Sequence, residues 1–316
     1  MATNHHIRSI ISVTTVLIFL VIGVFQATKV KSLGDLKCID CGEHEAERRY
    51  YLYAGEVDAP ANDQEDLLLI LHGFRSSAKG TIATTRRAFE RYADTEGMVV
   101  VHAQALGPNW AFGDSGSIGQ SYDKAYFDAP WNDVRTYYPS LQRIHLIGLS
   151  RGAMAAYFLA CDNVLPVSSL SVFVMPMPEH TFDNCQTEKP IDFMLANGTE
   201  DDLVPYNGGA IHMPWYTFPS DRNFGSILST EDTLAYWRNH NGCEVDPNTS
   251  TTLDDQFDGT FIVHRNWDNC FLGTVSHYEV VGGGHRWLNE RWNPVAWVLL
   301  GWTSREVYTD GTFDVY

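Results

Sequence analysis

Apolar residues along this chain gather in short unbroken runs instead of alternating with polar ones. Leu67-Leu-Leu-Ile-Leu71 is the clearest run, and Met98–His102, Ile144–Ile147, Ser169–Met175, Ile191–Leu195 and Tyr278–Val281 repeat it. Arg49–Ala54 reads as an earlier strand. A strand without a polar face is one covered on both sides, as inside a parallel sheet. Helix-like stretches fall between the runs at Ala83–Asp94, Ala153–Cys161 and Thr230–Asn239. Strands alternating with helices predict an α/β fold, a doubly wound and mostly parallel sheet with helices on both faces. In such sheets the loops at the carboxyl ends of the strands carry the site.

One apolar run stands outside this alternation. Ile10–Phe25 follows Arg8 and precedes Lys29 and Lys31. It is longer than most signal-peptide cores and slightly short for a membrane span. Residues 1–32 are therefore expected to be a cleaved signal peptide, with an uncleaved anchor as the alternative, and 33–316 a single folded domain. Either choice exports the folded part, to a secreted or extracellular location. Six cysteines, Cys38, Cys41, Cys161, Cys185, Cys243 and Cys270, all lie beyond this leader, as disulfides outside the cytoplasm require. Cys38-Ile-Asp-Cys41 with His44 lacks a second pair at ligand spacing, so no metal is expected there. Asn197 and Asn248 each begin an N-x-[ST] sequon.

The 316 residues are 44% hydrophobic, enough for one large core, and carry a formal net charge of −17. A chain this acidic has no broad basic face, which excludes nucleic acid and argues against anionic lipid as a partner. A membrane enters the picture only through the leader.

The candidate chemistry sits on the predicted carboxyl ends. Gly148-Leu-Ser-Arg-Gly152 follows the strand Ile144–Ile147 and opens the helix that continues Ala153-Met-Ala-Ala156. That strand–turn–helix setting is what a nucleophile elbow requires, and it makes Ser150 the candidate nucleophile. A serine hydroxyl needs a base, and in this arrangement the partners follow in the order Ser, acid, His, each after a later strand. Asn197-Gly-Thr-Glu-Asp-Asp202 follows Ile191–Leu195, and Gly282-Gly-Gly-His285 follows Tyr278–Val281. His285 is the expected base, behind a glycine turn expected to let its ring swing towards Ser150. Asp201 and Asp202 are both possible acids on spacing alone, with Glu200 a third option. His102, His145 and His277 read as structural. An oxyanion needs donors already in place, and the backbone N–H groups of Arg151 and Phe74 are the candidates. His72, in the same loop as Phe74, reads as its brace. Trp110 and Trp287 are candidates for an aromatic substrate-binding wall, with burial in the core as the alternative for each. This chemistry calls for no metal and no organic cofactor.

The ordered set resembles the secreted esterases that include polyhydroxybutyrate depolymerases, feruloyl esterases and acetylxylan esterases. The matching residues are Leu71-His-Gly73, Gly148–Gly152 with Met154-Ala-Ala-Tyr157 and Leu159-Ala-Cys161, and Asn197-Gly-Thr-Glu-Asp201. Val204-Pro-Tyr206 with Gly208-Gly209, Asn241-Gly-Cys243, and Gly282–His285 with Trp287 complete it. The resemblance implies the α/β-hydrolase fold and a Ser150–Asp201–His285 triad. It also implies pairing of Cys161 with Cys185 and of Cys243 with Cys270, which leaves Cys38 to Cys41. Leu288 and Ala153 depart from the family pattern, and Gln120–Pro139 is shorter and less regular than the family suggests. The implied substrates are feruloyl or acetyl esters on polysaccharide, with a polyester such as polyhydroxybutyrate as the nearest rival. A hydrolase-like binding module without activity is the alternative of a different class.

Overall fold

The unbroken apolar runs pack on two sides at once. Leu67, Leu69 and Leu71 join one core with Val99, Val101, Leu146 and Tyr157, while Leu68 and Ile70 join another with Val100, Phe89 and Ala93. Period-two alternation is present, but both faces are buried, so both sets of positions must be apolar. The computed structural model describes residues 35–38, 49–55, 65–105, 110, 120–163, 165–212, 225–254 and 259–285. All of them belong to one unit, Gly34–Tyr316. The leader expected over 1–32 lies outside the described residues.

In chain order the elements are β1 (Asp35–Cys38), β2 (Arg49–Ala54), β3 (Asp66–Leu71), α1 (Ala78–Thr84), α2 (Ala88–Glu96) and β4 (Val99–Ala103). Next come α3 (Gln120–Tyr137), β5 (Arg143–Leu149), α4 (Arg151–Cys161), β6 (Val167–Phe173), α5 (Glu179–Asn184) and β7 (Asp192–Gly198). The small pair β8 (Gly209–Ala210) and β9 (Ser226–Ile227) precedes α6 (Thr230–Asn241), β10 (Thr249–Asp254), β11 (Phe261–Trp267) and β12 (Val275–Val281).

Among the described residues one sheet runs in the order β1-β2-β4-β3-β5-β6-β7-β12-β11-β10. Neighbours from β4 through β12 are parallel. Both flanks are antiparallel, β1 and β2 on one side and β11 and β10 on the other. Because β3 lies between β4 and β5, the chain leaves β3 in one direction and later crosses back over it. The carboxyl ends of β3 and β5 thus border the topological switch point, where open α/β sheets bind their ligands.

The strands stand where the apolar runs predict them, within three residues at either end, and Arg49–Ala54 coincides with β2. The helix expected over Ala83–Asp94 is instead two helices. Ser77 caps the first by accepting from Gly80 N at 2.9 Å, which starts it earlier. Arg86 and Arg87 then take left-handed φ values of 49° and 60°, which no helix interior tolerates. The irregular segment Gln120–Pro139 folds as α3. Its described part buries Phe127, Pro130 and Val134 with Trp131 half-buried between them, an i, i+3, i+4, i+7 face, despite Pro130 inside the helix. Two disulfides close the expected loops, Cys161–Cys185 and Cys243–Cys270. The third pairing lies outside the described residues at Cys41.

Candidate active site

Ser150 stands on the turn between β5 and α4, with φ 50° and ψ −117°. A non-glycine residue in that region costs about 1–3 kcal/mol, and the surrounding structure must hold it there. Its N–H donates to the Phe173 carbonyl at the end of β6 (2.9 Å), and its carbonyl accepts from Ala153 N (2.9 Å). The two flanking glycines explain themselves by contact. A Cβ on Gly152 would lie 2.2 Å from the Leu71 carbonyl oxygen, and one on Gly148 would lie 2.4 Å from the Ala153 Cα. Helix, turn and the two central strands close on each other only because both positions lack a side chain.

His285 follows β12 and Asp201 follows β7, the neighbouring strand. Nε2 of His285 lies 3.0 Å from the Ser150 Oγ, and Nδ1 lies 2.7 Å from Asp201 Oδ2. With the ring proton on Nδ1, donated to Asp201, Nε2 is the acceptor for the serine hydroxyl. Asp201 is 8% exposed, and its other oxygen accepts from Leu203 N (2.9 Å) and Val204 N (2.8 Å). A carboxylate with that many donors is held in one orientation. Asp202 and Glu200 are both exposed, so of the three acids left open by spacing it is Asp201 that meets the imidazole. The glycines before His285 do not serve as a loose tether; they pack against the acid turn, with Glu200 N donating to the Gly283 carbonyl at 2.9 Å.

Ser150 and His285 open onto a cavity of about 320 Å³. Its wall is largely aliphatic and thioether: Leu149, Met154, Val174, Met175, Leu203 and Ile211. Phe74 and Arg151, the nominated oxyanion donors, line the same cavity. The apolar wall escaped the sequence reading, although Leu149, Val174 and Met175 sit at the carboxyl ends of β5 and β6, where the topology directs attention. Val174 adopts φ 50°, an unusual state for a β-branched side chain.

Trp110 requires a correction. It is 1% exposed, its Nε1 donates to the His72 carbonyl at 2.8 Å, and its ring packs on His72 and Phe127. It is a core residue beneath the β3 loop, not a binding wall, because its one polar atom is already satisfied inside. Trp287 lies outside the described residues. His72 is fully buried and braces the loop: Nδ1 faces the Gly73 carbonyl at 2.9 Å and Nε2 accepts from Ala105 N at 3.1 Å. Burial pushes its pKa down. His102, His145 and His277 do not border the cavity. Among the described residues no cluster of three or more His, Cys, Asp or Glu is arranged to hold a metal ion.

The acetyl xylan esterase from Aspergillus awamori superimposes with a TM-score of 0.53 at 12% identity, over 84% of this chain and 99% of that one. A thermostable esterase superimposes with a TM-score of 0.51 at 14% identity, over 86% of this chain and 60% of its own. The chain has the α/β-hydrolase fold. Identities this low establish the architecture alone. In sequence, the chain is 23% identical over 150 residues to feruloyl esterase B of Piromyces equi. That match covers 46% of this chain and 25% of the relative's length. No protein-family model matches the chain.

Proposed function

We propose that this α/β-hydrolase is a carboxylic ester hydrolase acting through Ser150, His285 and Asp201. The observation that carries the reading is the continuous hydrogen-bonded path from the Ser150 hydroxyl through His285 to Asp201, opening onto an apolar cavity at the switch point. Ser150 Oγ attacks the ester carbonyl while His285 Nε2 takes its proton, and Asp201 holds the tautomer and stabilises the charged ring. In this reading the backbone N–H groups of Phe74 and Arg151, the latter at the start of α4, serve as the oxyanion donors, supported by both residues lining the cavity. His285 then returns the proton to the leaving alcohol, and a water activated by the same nitrogen hydrolyses the acyl-enzyme. None of these steps calls for a metal or cofactor.

The substrate class we favour is the feruloyl or acetyl ester of a polysaccharide; the partial match to a feruloyl esterase supports it. An extracytoplasmic site of action is supported by the two disulfides, which persist where thiols are not kept reduced. Among the described residues no helix is long and apolar enough to cross a membrane.

Turnover of a p-nitrophenyl acyl ester tests the activity, and Ser150→Ala tests the assignment. The variant should fold normally and lose about three orders of magnitude or more in turnover. Near-normal rates in the folded variant would remove Ser150 from the mechanism. Methyl ferulate, acetylated xylan and polyhydroxybutyrate film, compared on the wild-type protein, assign the substrate.

A further inference from the structure

Two turns hold the acid and the base, and a single threonine joins them. Thr199 lies between the end of β7 and Asp201. Its N–H donates to the Val280 carbonyl (3.0 Å), extending the β7–β12 ladder one step beyond Gly198. At the next step its side chain replaces the backbone: Thr199 Oγ1 accepts from Gly282 N at 2.9 Å. Glu200 N then donates to the Gly283 carbonyl at 2.9 Å. These bonds end one residue before Asp201 and two before His285. The close approach they need leaves no room for a side chain at Gly198, where a Cβ would lie 2.1 Å from the Gly283 oxygen.

The same tripeptide is anchored from below. Asn197 is 2% exposed, and its Oδ1 lies 3.0 Å from Nε2 of the fully buried His277. Its Nδ2 donates to Thr230 Oγ1 at 2.7 Å, and that hydroxyl donates to the Tyr206 carbonyl at 2.9 Å. Asn197-Gly-Thr199 has the form of a glycosylation sequon, yet in the folded chain the amide nitrogen is inside and engaged. Each of its three residues has a structural use instead.

We infer that Asn197-Gly198-Thr199 is a clasp that sets the distance between the acid and base turns, with Thr199 as a positioning residue for the Asp201–His285 pair. The inference rests on the triad reading above. Thr199 Oγ1 is the one side-chain acceptor in the clasp that receives a backbone N–H of the glycine turn. Removing it leaves Gly282 N without that partner and lets the turn carrying His285 drift from Ser150. A displacement of a fraction of an ångström in the base slows chemistry without weakening the binding of a small ester.

Thr199→Val keeps the shape and removes the acceptor, whereas Thr199→Ser keeps the acceptor. With a p-nitrophenyl ester, Thr199→Val should lose about tenfold in kcat with KM within roughly twofold, and Thr199→Ser should stay within about threefold of wild type. Thr199→Ala serves in place of Thr199→Val if the latter does not fold. A folded Thr199→Val at the wild-type rate would overturn the clasp, as would an equal loss in Thr199→Ser. Failure of both Thr199→Val and Thr199→Ala to fold would also overturn it, because the residue would then act on stability. Ser150→Ala measured alongside separates the two ideas. If that variant keeps full turnover, the triad reading fails; if it is inactive while Thr199→Val is unaffected, only the clasp fails.

Discussion

Asp201 and Asp202 are adjacent in the chain and opposite in circumstance. One is buried and receives two backbone N–H groups besides the histidine, and the other is exposed. Asp201→Asn should therefore slow ester turnover by about four orders of magnitude, since an amide stabilises the wrong imidazole tautomer. Asp202→Asn should leave it nearly unchanged. Steady-state rates of the two folded variants decide this, and the reverse order of effects would reassign the acid. At this scale the chain already showed much. Ser150 and His285 were legible from a serine at a strand–turn–helix junction and a histidine after a later strand. Spacing alone left the choice between the two aspartates open, because a turn aims successive side chains in different directions, and it was the family resemblance that pointed to Asp201. Trp110 was misplaced for a related reason: an aromatic ring with one N–H suits a core and a binding wall equally until its partner is seen.

Elements were legible in proportion to how regularly they bury residues. Each of the strands β3 to β7 is built around a largely apolar, buried stretch, and they stand close to where the runs predicted. The flanking strands β10 and β11 carry polar residues such as Thr251, Thr252, His264 and Arg265, and gave no such run. α6 coincides with the helix-like stretch Thr230–Asn239 to within two residues; Ser229 caps it, accepting from Asp232 N at 3.0 Å, and Gly242 ends it in the left-handed region. Just beyond it, Cys243–Cys270 ties the end of α6 to the loop between β11 and β12 across a separation of 27 residues. Closing a loop of that length constrains the unfolded chain by roughly 3 kcal/mol. Replacing both cysteines with serine should lower the unfolding free energy by about that amount. A denaturant titration with an unchanged midpoint would show that the bridge adds nothing to stability.

Across the whole molecule, the half of the sheet that carries Asp201 and His285 also encloses His264 and His277. Burial pushes His264 down to about 4 and His277 well below the ordinary histidine value, the latter also through the charge of Arg265 and the proximity of His264. The unfolded chain takes up protons on both as pH falls below about 6.5, and the folded chain does not. Their contribution to stability is therefore complete above that pH and is lost progressively towards about pH 4. The urea midpoint should drop between pH 7 and pH 5, and His264→Phe, which keeps a ring stacked on Tyr278, should lessen the drop. A midpoint constant across that range would contradict the burial argument.

What the sequence determined by itself was the class of sheet and the strand ends on which Ser150, Asp201 and His285 stand. These follow from local causes, since an apolar run demands cover and a glycine-flanked serine demands a tight turn. Tertiary structure alone decided that Trp110 is buried beneath the β3 loop and which apolar side chains line the cavity, and it brought Asp201, the aspartate the resemblance implied, to the imidazole. It also decided that Asn197-Gly-Thr199 is engaged inside the fold. Each of these depends on contacts between residues far apart in the chain, such as Asp201 with His285 and Thr199 with Gly282. Local propensity carries no record of such distances; only the packing of β7 against β12 brings those groups within hydrogen-bond reach.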